Sequence, residues 1–178
     1  MRIITGRLGG RHFLSPGSER THPMSDKIRG ALFNTLGDIE GLTFLDAFSG
    51  SGALSFEAIS RGASHVTALD SDANAISTIV KSLGQLDIRS EIKAIHVSAV
   101  SWLQTVPSST VFDVVLCDPP YNDPQLELVV ELTSRVKAGG LIVLSLPPDS
   151  MPALPSSYEL VASKTYGDAC LYFYRRAL

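Results

Sequence analysis

Cysteine is scarce in this chain: Cys117 and Cys170 are its only two among 178 residues. Two thiols make no disulfide framework and have no metal-ligand spacing, so a reduced, cytoplasmic protein without a metal is expected. Cys117 closes an apolar run and reads as a small buried hydrophobe. No apolar run is long enough to cross a bilayer, and the opening Met1-Arg2-Ile3-Ile4-Thr5-Gly6 is too short and polar for a signal peptide. No membrane partner is therefore expected. Internal repeats, coiled-coil heptads and low-complexity segments are missing too, which leaves an ordinary globular chain, with a monomer as the default.

A strong basic balance is also missing, since the formal net charge is −3. Its distribution is uneven. Residues 1–29 carry six basic groups, Arg2, Arg7, Arg11, Arg20, Lys27 and Arg29, against Glu19 and Asp26, a net +4. The remaining residues carry nine basic and sixteen acidic groups, a net −7. A basic arm on an acidic body suits phosphate docking. The alternative is a short, solvated terminus that is basic by accident. The body's acids, such as Asp38, Glu57 and Glu127, read as solvated surface.

Hydrophobic residues make up 44% of the chain, enough for one compact core. The pattern divides into a basic arm over 1–22 and a larger domain over 23–178. The arm reads as a hairpin, Arg2–Thr5 and Arg11–Leu14 around Gly9-Gly10. Ser25 caps a helix that Gly37 ends. Strand-like runs then follow at Thr43–Phe48, His65–Leu69, Ile92–Val97, Val111–Cys117 and Leu141–Leu146. Helical stretches near 52–61, 73–86, 98–105 and 124–136 separate them. Such apolar strands alternating with helices predict an α/β domain with a parallel sheet covered on both faces. Tyr158–Lys164 and Cys170–Arg175 read as an antiparallel pair at one edge.

Two motifs sit at strand ends. Asp118-Pro119-Pro120-Tyr121 follows the strand ending in Cys117. An exocyclic base amine is a poor nucleophile, because its lone pair is delocalised into the ring, until acceptors hold its hydrogens. The Asp118 carboxylate and the Pro119 carbonyl supply two acceptors. The prolines add no N–H of their own, so the turn's carbonyls stay free. Tyr121 offers a flat face for a base, a contact worth about 1–3 kcal/mol. The plain alternative is a proline-rich turn that redirects the chain.

Asp46-Ala47-Phe48-Ser49-Gly50-Ser51-Gly52 ends the first strand and opens a helix. Glycines at 50 and 52 permit a sharp bend and close approach of a ligand. The dinucleotide fingerprint needs a third glycine where this chain has Ser55, and it has no acid before the turn, where Asp46 stands. The spacing therefore favours S-adenosylmethionine over NAD, with Asp46 at the cofactor's amino-acid end. Asp70, ending the second strand, is placed to accept from both ribose hydroxyls. Its plainer reading is a helix N-cap.

With these motifs in place, the chain resembles the bacterial enzymes that methylate the N2 amine of one guanine in 16S ribosomal RNA. The likeness runs nearly end to end. It includes Met1–Gly6, Gly10-Arg11, the stretch His22–Asn34, Ala53-Leu54, Ser60–Ala63, Asp118–Tyr121, Lys137–Gly140, Tyr166–Asp168 and Tyr172–Arg176. It implies a Rossmann-like class I methyltransferase fold with a mostly parallel seven-stranded sheet. It implies that Asp46, Phe48, Gly50, Gly52, Asp70, Ser98 and Ala99 hold S-adenosylmethionine, with S-adenosylhomocysteine as product. It also implies that Asp118 to Tyr121 orient the guanine amine, and that an N-terminal hairpin grips 16S RNA of the small ribosomal subunit. Arg2, Arg7, Arg11, Arg20, His22, Lys27 and Arg29 are the candidate contacts. The chain departs from the family's pattern in three places. His22-Pro23-Met24 stands for Arg-Pro-Thr. Val97-Ser98-Ala99 stands for Gly-Asp-Ala, so Ser98 replaces the aspartate that holds the adenine amine. Ser145 stands for a glutamate at the end of the fifth strand. None of the three is expected to touch the tetrapeptide.

Among enzymes the main alternative is N6-adenine methylation of DNA, which uses the same tetrapeptide but generally needs a further domain to read its target. Glutamine methylation of a protein usually has asparagine where Asp118 stands. A non-catalytic factor that binds ribosomal RNA during assembly is the alternative from another class. An NAD-dependent oxidoreductase is disfavoured by Ser55.

Overall fold

The computed structural model describes residues 1–17 and 24–178. Helix α1, Asp26–Leu36, begins where the Ser25 hydroxyl accepts the Ile28 N–H and stops at Gly37, whose φ is 75°. The chain then alternates β1 (Thr43–Asp46), α2 (Ala53–Ser60), β2 (His65–Asp70), α3 (Ala73–Leu86), β3 (Ile92–His96), α4 (Ala99–Thr105), β4 (Phe112–Cys117) and α5 (Leu126–Leu132). A single 3-10 turn, Thr133–Arg135, leads into β5 (Val136–Leu146), followed by β6 (Tyr158–Tyr166) and β7 (Ala169–Arg176).

These strands form one seven-stranded sheet in the order β3-β2-β1-β4-β5-β7-β6. β1 to β5 are mutually parallel, while β7 runs antiparallel to both β5 and β6. This is a Rossmann-like sheet with the expected antiparallel pair at one edge. Strand order reverses between β1 and β4, and open α/β sheets bind ligands beyond the carboxyl ends of the strands at such a point. Asp46 ends β1 and Asp118 follows β4, so the two motifs meet there.

The sheet divides the core in two. One face packs Phe44, Val66, Val114, Val143 and Phe173 under α1, α2 and α3; the other packs Leu45, Val115, Ile142 and Leu144 against α4 and α5. β5 starts earlier than expected, at Val136 rather than Leu141. Gly139 and Gly140 lie within it, and a Cβ on Gly140 would come within 2.7 Å of the Asp113 carbonyl on β4. Those glycines mark close strand approach, not a loop.

The first seventeen residues pack into the same core. Instead of two hairpin strands there is one antiparallel bridge, Arg2 to His12. Ile3, Leu8 and Phe13 point inward from the loop that this bridge closes, and Phe13 meets Phe56 of α2 with ring centroids 4.8 Å apart. Full burial of a side chain of this kind contributes roughly 1.5–3 kcal/mol.

Glu57 of α2 fastens this segment, contrary to the expectation of a solvated acid. It is wholly buried because α2 is covered on every side. Its carboxylate accepts the Ile4 N–H at 2.8 Å, the Thr5 N–H at 3.2 Å and Arg61 Nε at 2.7 Å. Arg29 Nε lies 3.8 Å from Glu57 Oε2. Arg29 in turn donates to the Arg2 and Met24 carbonyls and to Asp26 Oδ1. The arm, α1 and α2 thus share one buried charge network.

Candidate active site

Asp46 is the most constrained group at the switch point. It is fully buried, accepts the Ser55 hydroxyl at 2.7 Å through Oδ2, and leaves Oδ1 without a hydrogen-bond partner. Burial pushes its pKa up to about 7, with the nearby charges of Asp118 and Asp70 adding to the rise and Ser55 opposing it. Ser55 therefore does what a third glycine could not: it holds the acid ahead of the turn.

The backbone between them bends through Gly50 at φ 49° and Gly52 at φ 79°. At Gly52 the reason is internal, not close approach of a ligand. A Cβ there would lie 2.9 Å from the Phe56 ring and 3.0 Å from Ile79. Ser49, 6% exposed, keeps its hydroxyl unpartnered beside the turn. Two orphaned buried polar atoms, Asp46 Oδ1 and Ser49 Oγ, fit the polar end of an amino-acid-bearing cofactor, since buried polar atoms normally carry partners.

Asp70 closes the same turn from β2. Its Oδ2 accepts the Gly50 N–H at 2.7 Å and its Oδ1 accepts the Asp72 N–H at 2.8 Å. The helix N-cap is Asp72, which accepts from Asn74 N, so capping is not the role of Asp70. Ser98 caps α4, accepting the Ser101 N–H while donating to the Ser101 hydroxyl. Ala99 is buried beneath it and Phe48 is half-buried.

The tetrapeptide lies across the switch point. Burial raises the Asp118 pKa to about 6, with the neighbouring Ser145 hydroxyl holding it down in part. Pro119 is buried and Pro120 exposed. Asp123 N donates to the Pro120 carbonyl at 2.9 Å, so that carbonyl closes a turn. Tyr121 is 37% exposed, and its phenol lies 3.0 Å from the Ser145 hydroxyl. Ser145 therefore does touch the tetrapeptide, contrary to expectation. Perturbed carboxylates converging at the carboxyl ends of adjacent strands mark a candidate functional site. A surface cavity of about 570 Å³ lies at the opposite ends of the strands, beside Gly41, Ser64 and Glu91, where no such convergence occurs.

The candidate phosphate contacts divide. Arg29 is corrected outright, because its guanidinium is fully buried and bound to carbonyls and carboxylates. Arg11 donates to the Gln85 and Leu86 carbonyls at the end of α3. Arg2 and Arg7 are exposed but paired with Asp26 and Glu91. Lys27 is exposed on α1, its Nζ 5.9 Å from the Tyr166 ring centroid. Arg20 and His22 fall outside the described residues.

Sequence comparison decides the family. A family described as conserved hypothetical protein 95 matches residues 1–175. Ribosomal RNA small subunit methyltransferase D of Haemophilus influenzae is 34% identical over 172 residues, covering 94% of this chain and 89% of that protein. The chain belongs to the methyltransferase D family. Among solved structures, yhhF of Escherichia coli superposes with a TM-score of 0.88 at 30% identity, covering 99% of this chain and 98% of the other. A more distant likeness, at 14% identity and a TM-score of 0.70, is SMU.776 complexed with SAH, where 84% of this chain and 48% of that one align. At that identity the likeness is one of fold. In this member of the family Asp46 carries a testable burden. An acid whose folded pKa lies near 7 binds its proton more tightly folded than unfolded, so stability falls as pH rises from about 4 to 7. Asp46→Asn removes that loss. Its stability advantage over the wild type is expected to grow from pH 5 to pH 8 in paired urea titrations, and equal gaps at both would contradict the assignment.

Proposed function

We propose that this chain transfers a methyl group from S-adenosylmethionine to the exocyclic N2 amine of one guanine in 16S rRNA of the small ribosomal subunit, acting as a cytoplasmic monomer. The observation that carries this reading is the meeting of Asp46 and Asp118 at the switch point, with Pro119 and Tyr121 beyond it. The family membership and the named relative support it.

The cofactor supplies a methyl activated on a cationic sulfur, with S-adenosylhomocysteine as leaving group. Asp46, Phe48, Gly50, Gly52, Asp70, Ser98 and Ala99 are the residues proposed to hold it. Asp118 and the Pro119 carbonyl accept the amine's two hydrogens, which turns the nitrogen lone pair toward the methyl; once the N–C bond forms and the C–S bond breaks, one of those protons leaves to water. Alignment and proximity then account for most of the acceleration. To reach N2 the base must leave its stack, and Tyr121 gives it a surface to rest on.

Of the basic residues, Lys27 is the clearest phosphate candidate, since its described neighbour is an aromatic ring and not a carboxylate. Lys27→Gln is expected to reduce the salt slope of RNA binding by about one unit. An unchanged slope in a filter-binding series would remove Lys27 from the interface. Deleting the arm is a poorer test, because Ile3, Leu8 and Phe13 would leave the core open.

A non-catalytic role on ribosomal RNA is the second reading. It is favoured by Ser98, whose hydroxyl is committed to the α4 cap. Equilibrium binding of S-adenosylmethionine separates the two: bound cofactor supports the enzyme, and its absence supports the assembly role.

A further inference from the structure

Ser145 is the second-last residue of a strand whose neighbouring positions, Ile142 to Leu144 and Leu146, are buried and apolar. At 2% exposure, its hydroxyl must find its partners inside the protein. The partner it finds is the phenol of Tyr121, at 3.0 Å, on a loop twenty-four residues earlier in the chain. Cys117 pairs with Leu144 across β4 and β5, so Asp118 and Ser145 are the next neighbours on adjacent strands.

We propose that Ser145 is a positioning residue for the acceptor base: its hydroxyl ties the Tyr121 ring to Asp118 and so sets the plane on which the base rests. This rests on the methyltransferase reading above. The direction of the hydrogens follows from chemistry. An ionised carboxylate only accepts, so a Ser145 hydroxyl that accepts from Tyr121 has its own hydrogen free to turn toward Asp118, its next neighbour on the adjacent strand. Tyr121 needs such a tie. It stands in an exposed loop, with Asn122 and Asp123 both in solvent, and a 37% exposed ring would otherwise sweep through several rotamers. A hydroxyl turned that way would take one oxygen of Asp118 and leave the other for the amine. The charged and titratable groups facing Tyr121 are Asp118, Asp168 and Cys170; those facing Asp118 include Asp46 and Cys117.

The test is a double-mutant cycle of Ser145→Ala and Tyr121→Phe on the full chain, with kcat, RNA KM and S-adenosylmethionine affinity measured for each. Each single change is expected to lower kcat/KM for RNA about tenfold, with cofactor affinity within about twofold of wild type. The double variant is expected to lose no more than either single one, and Ser145→Thr to recover most of the rate. Fully additive losses, or a wild-type rate in Ser145→Ala, would overturn the role. A readout independent of turnover keeps this apart from the methyltransferase reading. In a spectrum of protein labelled at tyrosine Cζ, the Tyr121 signal, assigned by Tyr121→Phe, is expected to titrate with Asp118 in the wild type and to lose that step in Ser145→Ala. The same titration in both proteins would sink the inference even if RNA were methylated. A coupled signal in a protein that methylates nothing would sink the function and leave the tie standing.

Discussion

Asp118→Ala is expected to lower methyl transfer at least about 100-fold while leaving S-adenosylmethionine affinity within about threefold of wild type. The asymmetry follows from where the carboxylate stands. Asp118 follows β4, on the side of the switch point proposed for the acceptor base, whereas Asp46 and Asp70 line the glycine turn. Loss of fold does not explain such a drop. Burial raises the Asp118 pKa to about 6, so its ionised form is a cost to the folded state at pH 8, on the order of 3 kcal/mol. Removing it relieves that cost. The same shift sets a pH dependence. The carboxylate must be ionised to accept the amine hydrogen, so wild-type turnover should fall as pH drops through about 6. Single-turnover rates with saturating cofactor measure both effects. Equal losses in turnover and cofactor affinity would move Asp118 out of the acceptor site.

Glu57→Gln is expected to cost about 3–5 kcal/mol of stability, because it removes the one buried carboxylate of the network, which pairs with Arg61 and faces the buried Arg29 guanidinium. The amide is nearly isosteric, so packing changes little and the effect reports on charge. One carboxylate oxygen becomes an N–H donor aimed at donors, which strands either Ile4 N or both Thr5 N and Arg61 Nε. Amide exchange at Ile4 and Thr5 should quicken well beyond that of the central strands. The companion pair Arg2–Asp26 is exposed and worth little by comparison. A stability loss below about 1 kcal/mol in denaturant titrations would mean that Glu57 is not the fastening point of the arm.

The alternation of strands and helices was legible in the sequence because β1, β2 and β4 are buried on both faces and read as apolar runs. Asp46 and Asp118 stood out for the same reason, as acids at the ends of such runs. Glu57 and Arg29 read as surface on charge alone, and the structure buries both. The signal was present: Glu57 sits inside Leu54-Ser55-Phe56-Glu57-Ala58-Ile59, a helix apolar on every side, where a carboxylate has to be paired. Arg29 precedes the buried Leu32 and Phe33 by three and four residues, which places it on the same inward stripe. Ser145 offered no such signal. Its partner is fixed by the register of β4 against β5, and nothing in the spacing from Tyr121 to Ser145 encodes that register. The true start of β5 was hidden by Gly139 and Gly140, residues that weaken a strand pattern and are accounted for by the close approach to Asp113.

The most direct measurement is transfer of labelled methyl from S-adenosylmethionine to unmodified small ribosomal subunits, naked 16S RNA and duplex DNA, side by side. The account predicts label in RNA alone, recovered after digestion as N2-methylguanosine. Label in DNA, or cofactor bound with no label transferred anywhere, would contradict it.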